Sequence, residues 1–315
     1  QMAGSRSGSL QPERVTYTND VVSKFTSDDF VFQARDCEIL AVDKPLTNVS
    51  EYIQCNTSDG AGAALQWTVV IDGQSSVQPT TNYDQPKVTG VFTDKVAFTQ
   101  TPLSTEGGQK IFIRGADFGP SDPSFLGDVR YGPTGLDYLA ENCSITEHST
   151  WIQCITTPGI GENLFFTVTV LGQQSEISTA KLSYARPVVA LLTPVQGPTF
   201  GGLRVRVTGT DFAIRDRLVQ KYVAWFDGDR EKMVEILAQQ GRDFELEGFS
   251  LEKQRSRTDL ESVVSWVAFD QPQGYGRENE VSVVLISSAT GERVQSSPVN
   301  FTYDTPTIDR VYPEE

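Results

Sequence analysis

Few residues in this sequence have the type and spacing to do chemistry. One histidine, His148, occurs among 315 residues. That excludes a two-histidine metal site and would leave serine–histidine–aspartate catalysis hanging on a single side chain. His148 lies in Thr146-Glu-His-Ser-Thr150, between two stretches that read as paired strands, so an exposed turn residue is expected. Asp28 and Asp29 are adjacent carboxylates, but glycosidic acid–base chemistry needs two carboxyls held apart across a cleft. On an acidic chain such neighbours are expected to be solvated. Gly197 to Gly202 is glycine-rich yet lacks the lysine and following helix of a phosphate-binding loop. No EF-hand ligand spacing occurs. The expectation is a protein that is not an enzyme and needs neither cofactor nor metal.

The elements that hold these residues are strands. Hydrophobic residues make up 38% of the chain, enough for several small cores, and Met is scarce while Val, Thr, Phe and Tyr are common. The formal net charge of −15 opposes binding to nucleic acid and to anionic membrane surfaces. No apolar run approaches the ~20 residues of a membrane span. The chain opens on Gln1 rather than Met, which implies a processed form or a piece of a longer protein.

Self-similarity fixes the organisation. Gly107, Gly108, Ile111, Ile113, Gly115, Asp117 and Phe118 recur at the same offsets as Gly201, Gly202, Val205, Val207, Gly209, Asp211 and Phe212. The glycine pair predicts a turn, the alternating Ile or Val a half-buried strand, and the Phe a buried ring. A Pro-flanked strand precedes each copy: Pro187, Val189, Leu192 and Pro194 share their spacing with Pro306, Ile308, Val311 and Pro313. Pro86, Val88 and Val91 share it too, with Thr93 in place of the last proline. A third motif closes each unit. Tyr52-Ile-Gln-Cys55 is echoed by Trp151-Ile-Gln-Cys154 and, loosely, by Trp266-Val-Ala-Phe269. Each is followed by a turn with two glycines (Gly60 and Gly62, Gly159 and Gly161, Gly274 and Gly276), a strand, and then Tyr83, Tyr184 or Tyr303 three residues before a proline. The boundary prolines Pro86, Pro187 and Pro306 are 101 and 119 residues apart, the size of an immunoglobulin-like sandwich.

These motifs resemble the IPT/TIG family, the immunoglobulin-like domains shared by plexins, Met-type receptors and Rel-type transcription factors. The resemblance implies an all-β chain of tandem sandwiches. Residues 1–85 correspond to an incomplete domain lacking its first strands. Residues 86–186 form a complete domain, residues 187–305 a domain with an insertion at about 227–261, and residues 306–315 the first strand of a further or neighbouring domain. Val15-Thr-Tyr17 aligns with Val129-Arg-Tyr131 and Val223-Ala-Trp225. Within the insertion, Asp229 to Gln240 carries Met233, Ile236 and Leu237 at helical spacing, with Asp229 placed to cap the start and Gly241 to end it. A short helix is expected there, followed by a mixed-charge stretch with Lys253, Arg255 and Arg257.

Cys37 and Cys55 occupy the same places in one repeat as Cys143 and Cys154 in the next. Four cysteines allow three pairings, and the repeat argues for one local bridge per domain, each contributing about 3 kcal/mol. Four reduced, buried thiols are the alternative. The third repeat has Phe269 in place of the second cysteine, so its core should fill by packing alone. Asn48, Asn56, Asn142 and Asn300 each begin an Asn-X-Ser/Thr acceptor. With disulfides these point to a secreted or cell-surface glycoprotein carrying N-linked glycans.

The unfinished ends carry the functional expectation. A sandwich missing strands exposes a core face and an edge. Either the array continues in a longer chain, or Ile308, Val311 and Tyr312 of one molecule add a strand to the first domain of the next, building a surface filament. Partners are accordingly other copies of the chain or adjacent domains. The alternative is an ectodomain fragment of a larger receptor or adhesion protein that binds a protein ligand. Linkers such as Tyr184-Ala-Arg-Pro187 are short, which predicts a semi-rigid rod.

Overall fold

The structure, a computed structural model, describes residues 14–19, 30–41, 51–71, 74–76, 80–213, 219–226, 234–236, 264–287 and 290–310. It is all-β, with multiple antiparallel sheets consistent with tandem immunoglobulin-like sandwiches, and no helix occurs among the described residues.

One sheet plan is built three times. Its centre is an antiparallel pair: Arg14–Asn19 with Leu65–Ile71, Leu126–Gly132 with Leu164–Val170, and Val219–Phe226 with Asn279–Ser287. The first strand of each pair carries a short outer strand: Phe30–Gln33, Tyr138–Leu139 or Val234–Ile236. The second pairs with a hairpin strand (Gln74–Ser75, Gln173–Gln174 or Arg293–Gln295) and with a returning strand (Thr80–Thr81, Lys181–Leu182 or Val299–Tyr303).

The opposing sheet varies. In the second repeat it runs Glu141–Glu147, Trp151–Ile155, Lys110–Ala116, Lys87–Phe92. In the third, Val264–Asp270, Arg204–Thr210 and Val188–Thr193 hold the corresponding places. Among the described residues, the first repeat has only Arg35–Ala41 paired with Glu51–Asn56. The packing follows. Phe166 and Val168 are fully buried, whereas their counterparts Trp67 and Val69 are only partly so.

The glycine-centred motif behaves as its spacing predicts. Ile111, Ile113, Val205 and Val207 are fully buried, each side chain contributing roughly 1.5–3 kcal/mol. A Cβ at Gly115 would strike the Lys87 carbonyl oxygen and the Phe118 ring, and one at Gly209 the Val188 oxygen and Phe212. Both Phe rings therefore sit where only glycine lets them, at 0% exposure. Asp117 and Asp211, just before them, share left-handed φ values of 60° and 58°.

Two local expectations need correction. Val234–Ile236 is a strand, not part of a helix; it pairs with Tyr222, Val223 and Ala224. Val-Glu-Ile also satisfies a period of two, and the sheet offers it the same edge that Phe30–Gln33 and Tyr138–Leu139 occupy in the other repeats. The rest of Asp229 to Gln240, with Lys253, Arg255 and Arg257, lies outside the described residues. The alignment of Val223-Ala-Trp225 with Val129-Arg-Tyr131 is also one residue out. Tyr131 faces Phe166, two residues beyond the partner of Leu182. The matching position, Val281, two beyond the partner of Phe301, faces Phe226. Adjacent aromatics made both registers plausible from sequence, and the ladder selects one.

Candidate functional site: the junctions between repeats

The closing motif of each repeat forms a clamp. Tyr83, Tyr184 and Tyr303 donate their hydroxyls to the carbonyls of Ser58, Thr157 and Pro272, at 2.5, 2.7 and 2.9 Å. Each accepting residue lies two positions before the first glycine of the turn. The backbone N–H of the same three tyrosines donates to Gly62, Gly161 and Gly276, at 2.9, 2.9 and 3.0 Å. A Cβ at Gly60, Gly159 or Gly274 would lie 2.5–2.8 Å from the tyrosine ring. Such a corner fixes the turn between the two glycines relative to the last strand.

The residue held between those glycines is the contact to the next repeat. Ala61 is 3% exposed and packs against the second repeat, 3.3 Å from the position of a Cβ at Gly119. Ile160 is 2% exposed and joins the hydrophobic core of the third repeat with Phe212 and Ala213. Its backbone is pinned by Tyr138, whose hydroxyl donates to the Ile160 carbonyl at 2.8 Å. Phe32 of the first repeat meets Phe125 of the second, with ring centroids 6.1 Å apart.

A side chain from the next repeat's hairpin region then grips the turn. Gln173 accepts from the Gly62 N–H at 3.1 Å and donates to the Tyr83 carbonyl at 3.2 Å. Gln85 donates to the carbonyl of Gln174. At the second junction, Glu292 accepts from the Glu162 N–H at 2.9 Å, while Arg186 pairs with Glu162 at 2.7 Å. Sequence reading marked the glycines but missed Ala61, Ile160, Gln173 and Glu292. The one available signal was the shared Gly-x-Gly spacing.

The residues singled out from sequence fall elsewhere. Disulfides join Cys37 to Cys55 and Cys143 to Cys154, each across neighbouring strands with Cα atoms 4.1 Å apart. Phe269 is 2% exposed and faces Val205, as Cys154 faces Ile111. Asn56, Asn142 and Asn300 are exposed, and Asn48 lies outside the described residues. His148 is an exposed turn residue 4.0 Å from Asp59 of the first repeat. Gly202 donates its N–H to the Gln271 carbonyl at 2.8 Å, so this backbone donor is used inside the fold rather than for phosphate. Asp28 and Asp29 lie outside the described residues. Ile308 is 81% exposed, residues 304–310 join no strand, and Val311 and Tyr312 lie outside the described residues. No group of three or more potential metal-ligating side chains occurs among the described residues, and no described helix is long and apolar enough to cross a membrane.

A second surface emerges on the second repeat. Between its first strand and the glycine pair it carries seven more residues than the third repeat does. They form a hairpin in which Asp94 accepts from the N–H groups of Val96 and Ala97, both at 2.8 Å. These bonds, Ala97 first, hold the Asp94 carboxyl below its ordinary pKa. The hairpin sets Phe98 edge-on to Phe92 and tilted against Trp151, with ring centroids 5.3 and 6.1 Å apart, and leaves Val96 90% and Phe98 51% exposed.

No protein-family model matches the sequence. Mouse fibrocystin-L is 26% identical over 186 residues, covering 56% of this chain and 4% of its own length. Among solved structures, the plexin A4 extracellular region is 13% identical over 96% of this chain and 31% of that one, with a TM-score of 0.27. The Escherichia coli adhesin FdeC is 12% identical over 86% of both chains, with a TM-score of 0.27. The Yersinia pseudotuberculosis adhesin InvE is 9% identical over 69% and 58%, with a TM-score of 0.29. Similarity at this level assigns no activity or partner to this chain.

Proposed function

We propose that this chain is a structural segment of a secreted or cell-surface glycoprotein, a run of IPT/TIG-like sandwiches with boundaries near residues 85, 186 and 305. The junction carries this reading. The same clamp, buried knob and gripping side chain are built twice, and what recurs between repeats is a means of fixing one to the next. Two disulfides within repeats support an oxidising, extracellular setting. Exposed Asn56, Asn142 and Asn300 are suited to N-linked glycans. We assign the chain no catalytic role, no cofactor and no nucleic-acid partner.

The finer reading is head-to-tail assembly into a surface filament, with the Ile308, Val311 and Tyr312 segment adding a strand to a neighbouring copy. The three-residue spacing of Ile308 and Val311 is that of Val88 and Val91, and of Val189 and Leu192, where a bulge turns both side chains inward. Negative-stain images of the secreted chain should show regular fibres that vanish when residues 306–315 are deleted. Fibres that survive the deletion reject the strand-addition part. A second reading, an ectodomain that binds a protein ligand, is favoured by the exposed Val96 and Phe98 on their braced hairpin. Dispersed single particles at all concentrations would favour it.

A further inference from the structure

The hairpin at residues 93–99 of the second repeat is not needed to close its own sandwich. The third repeat passes from its first strand to its glycine pair with seven fewer residues and still buries Val205 and Val207 fully. Yet the hairpin is firmly built. The Thr93 N–H donates to the Thr99 carbonyl at 2.9 Å. Lys95 pairs with Glu147 across the outer face of the sheet and lies 4.9 Å from the centre of the Trp151 ring.

Phe98 sits in this turn with φ at 53°, in the left-handed region that a bulky residue adopts only under constraint. Turn positions of this kind ordinarily go to Gly, Asn or Asp. Here one carries an aromatic ring that is 51% exposed, and Val96, two residues before it, is 90% exposed. Backbone strain that presents an apolar ring to water points to recognition.

The surrounding charges define the chemistry of what is recognised. Lys110, Phe112 and Arg114 face outward, because Ile111 and Ile113 between them are buried. Phe92 is in register with Phe112, and Trp151 with Arg114. The net charge of the chain is −15, yet this stretch sets Lys87, Lys95, Lys110 and Arg114 against Asp94 and Glu106 alone. The Asp94 carboxylate is occupied by the N–H groups of Val96 and Ala97. Lys87, Lys110 and Arg114 are exposed and make no ion pair among the described residues.

We propose that this face docks another protein, one whose surface offers an apolar socket rimmed by carboxylates. Val96 and Phe98 enter the socket, and Lys110 and Arg114 meet the rim. This rests on the ectodomain reading above and names its contact. An apolar centre with a charged rim is the arrangement of a protein interface, and a braced hairpin loses little freedom on binding. A sugar would need an open aromatic face, whereas Trp151 is 8% exposed with Lys95 over its ring. Membrane insertion would need Phe98 to project clear, whereas its ring is held against Phe92 and Trp151 on the flank of the sheet.

Panning a phage-displayed random peptide library on the intact chain tests this, with the variants Val96→Ser, Phe98→Asn and Arg114→Glu. Val96 and Arg114 are exposed, so circular dichroism and the thermal transition of their variants should match the parent; asparagine adopts the left-handed φ readily. Selected peptides should carry an aromatic or aliphatic residue flanked by Asp or Glu. Val96→Ser and Phe98→Asn should each weaken them about tenfold or more. Arg114→Glu should weaken them and flatten the salt dependence of binding. Peptides that bind all three variants as tightly as the parent overturn this surface and leave the ectodomain reading standing. Hairpin-dependent peptides without acidic residues overturn the stated chemistry. Binding to phosphatidylcholine–phosphatidylserine vesicles that is lost in Phe98→Asn overturns the proposal in favour of a membrane. Self-association that the same variant abolishes overturns it in favour of a second copy. A library that yields no binder overturns the contact and the ectodomain reading together.

Discussion

The tyrosine clamps are the residues on which the repeat depends most directly. Gly159→Ala would place a methyl group 2.8 Å from the rings of both Tyr138 and Tyr184. Overpacking of that kind costs roughly 1–3 kcal/mol, so the urea midpoint should fall measurably in this variant. Tyr131 lies behind the clamp, its hydroxyl 2.7 Å from that of Tyr184 and 3.0 Å from the Thr157 N–H that it accepts. Burial, the largest influence, raises the Tyr131 phenol above its ordinary value, outweighing those hydrogen bonds. A group whose folded pKa is raised contributes stability below its unfolded pKa and loses it as pH rises through the folded value. Stability should therefore hold across neutral pH and fall above about pH 10, the unfolded tyrosine range. Absorbance at 295 nm should show a late-ionising tyrosine whose titration coincides with unfolding. Smooth titration of every tyrosine while the fold persists would contradict this.

At the scale of elements, strands and their buried faces were legible because period-two alternation, turn glycines and repeat spacing agreed at nearly every position. Alternation alone marks Ile111 and Ile113 as inward-facing, and both are fully buried. Legibility failed where one stretch satisfied two periods. Met233, Ile236 and Leu237 suit a helix while Val234 and Ile236 suit a strand, and a vacant sheet edge decides between them. Gln173 and Glu292 were invisible for another reason: nothing local distinguishes a gripping glutamine from a solvated one. The disulfides, by contrast, were legible as paired positions, and their effect is testable. Replacing Cys143 and Cys154 together by serine removes a short closed loop from the second repeat. It should lower stability by about 3 kcal/mol by the loop-entropy model. The third repeat shows that this site can be packed without sulfur, by Phe269. Cys154→Phe with Cys143→Ser should therefore recover part of the loss, as read from denaturant midpoints.

At the scale of the whole molecule, buried side chains run through the junctions rather than stopping at repeat boundaries. Phe32 and Leu65 share a core with the second repeat, and Ile160 belongs to the core of the third. In a linear array, stability is the sum of what each repeat supplies and what each interface adds, so an interface can be weakened by itself. Ile160→Ala removes a side chain that is 2% exposed and should cost about 2–4 kcal/mol, most of it from the coupling between the second and third repeats. Denaturant unfolding should then split into separate transitions, with hydrogen exchange accelerated first around Glu162 and Glu292. Tyr275→Ala is the matched control. It occupies the same place in the clamp but is 79% exposed, so monomer stability should move by less than about 0.5 kcal/mol. If both substitutions destabilised the monomer equally, the clamp itself would be what the middle residue supports. If only Ile160→Ala does so, the residue between the glycines acts through the neighbouring repeat.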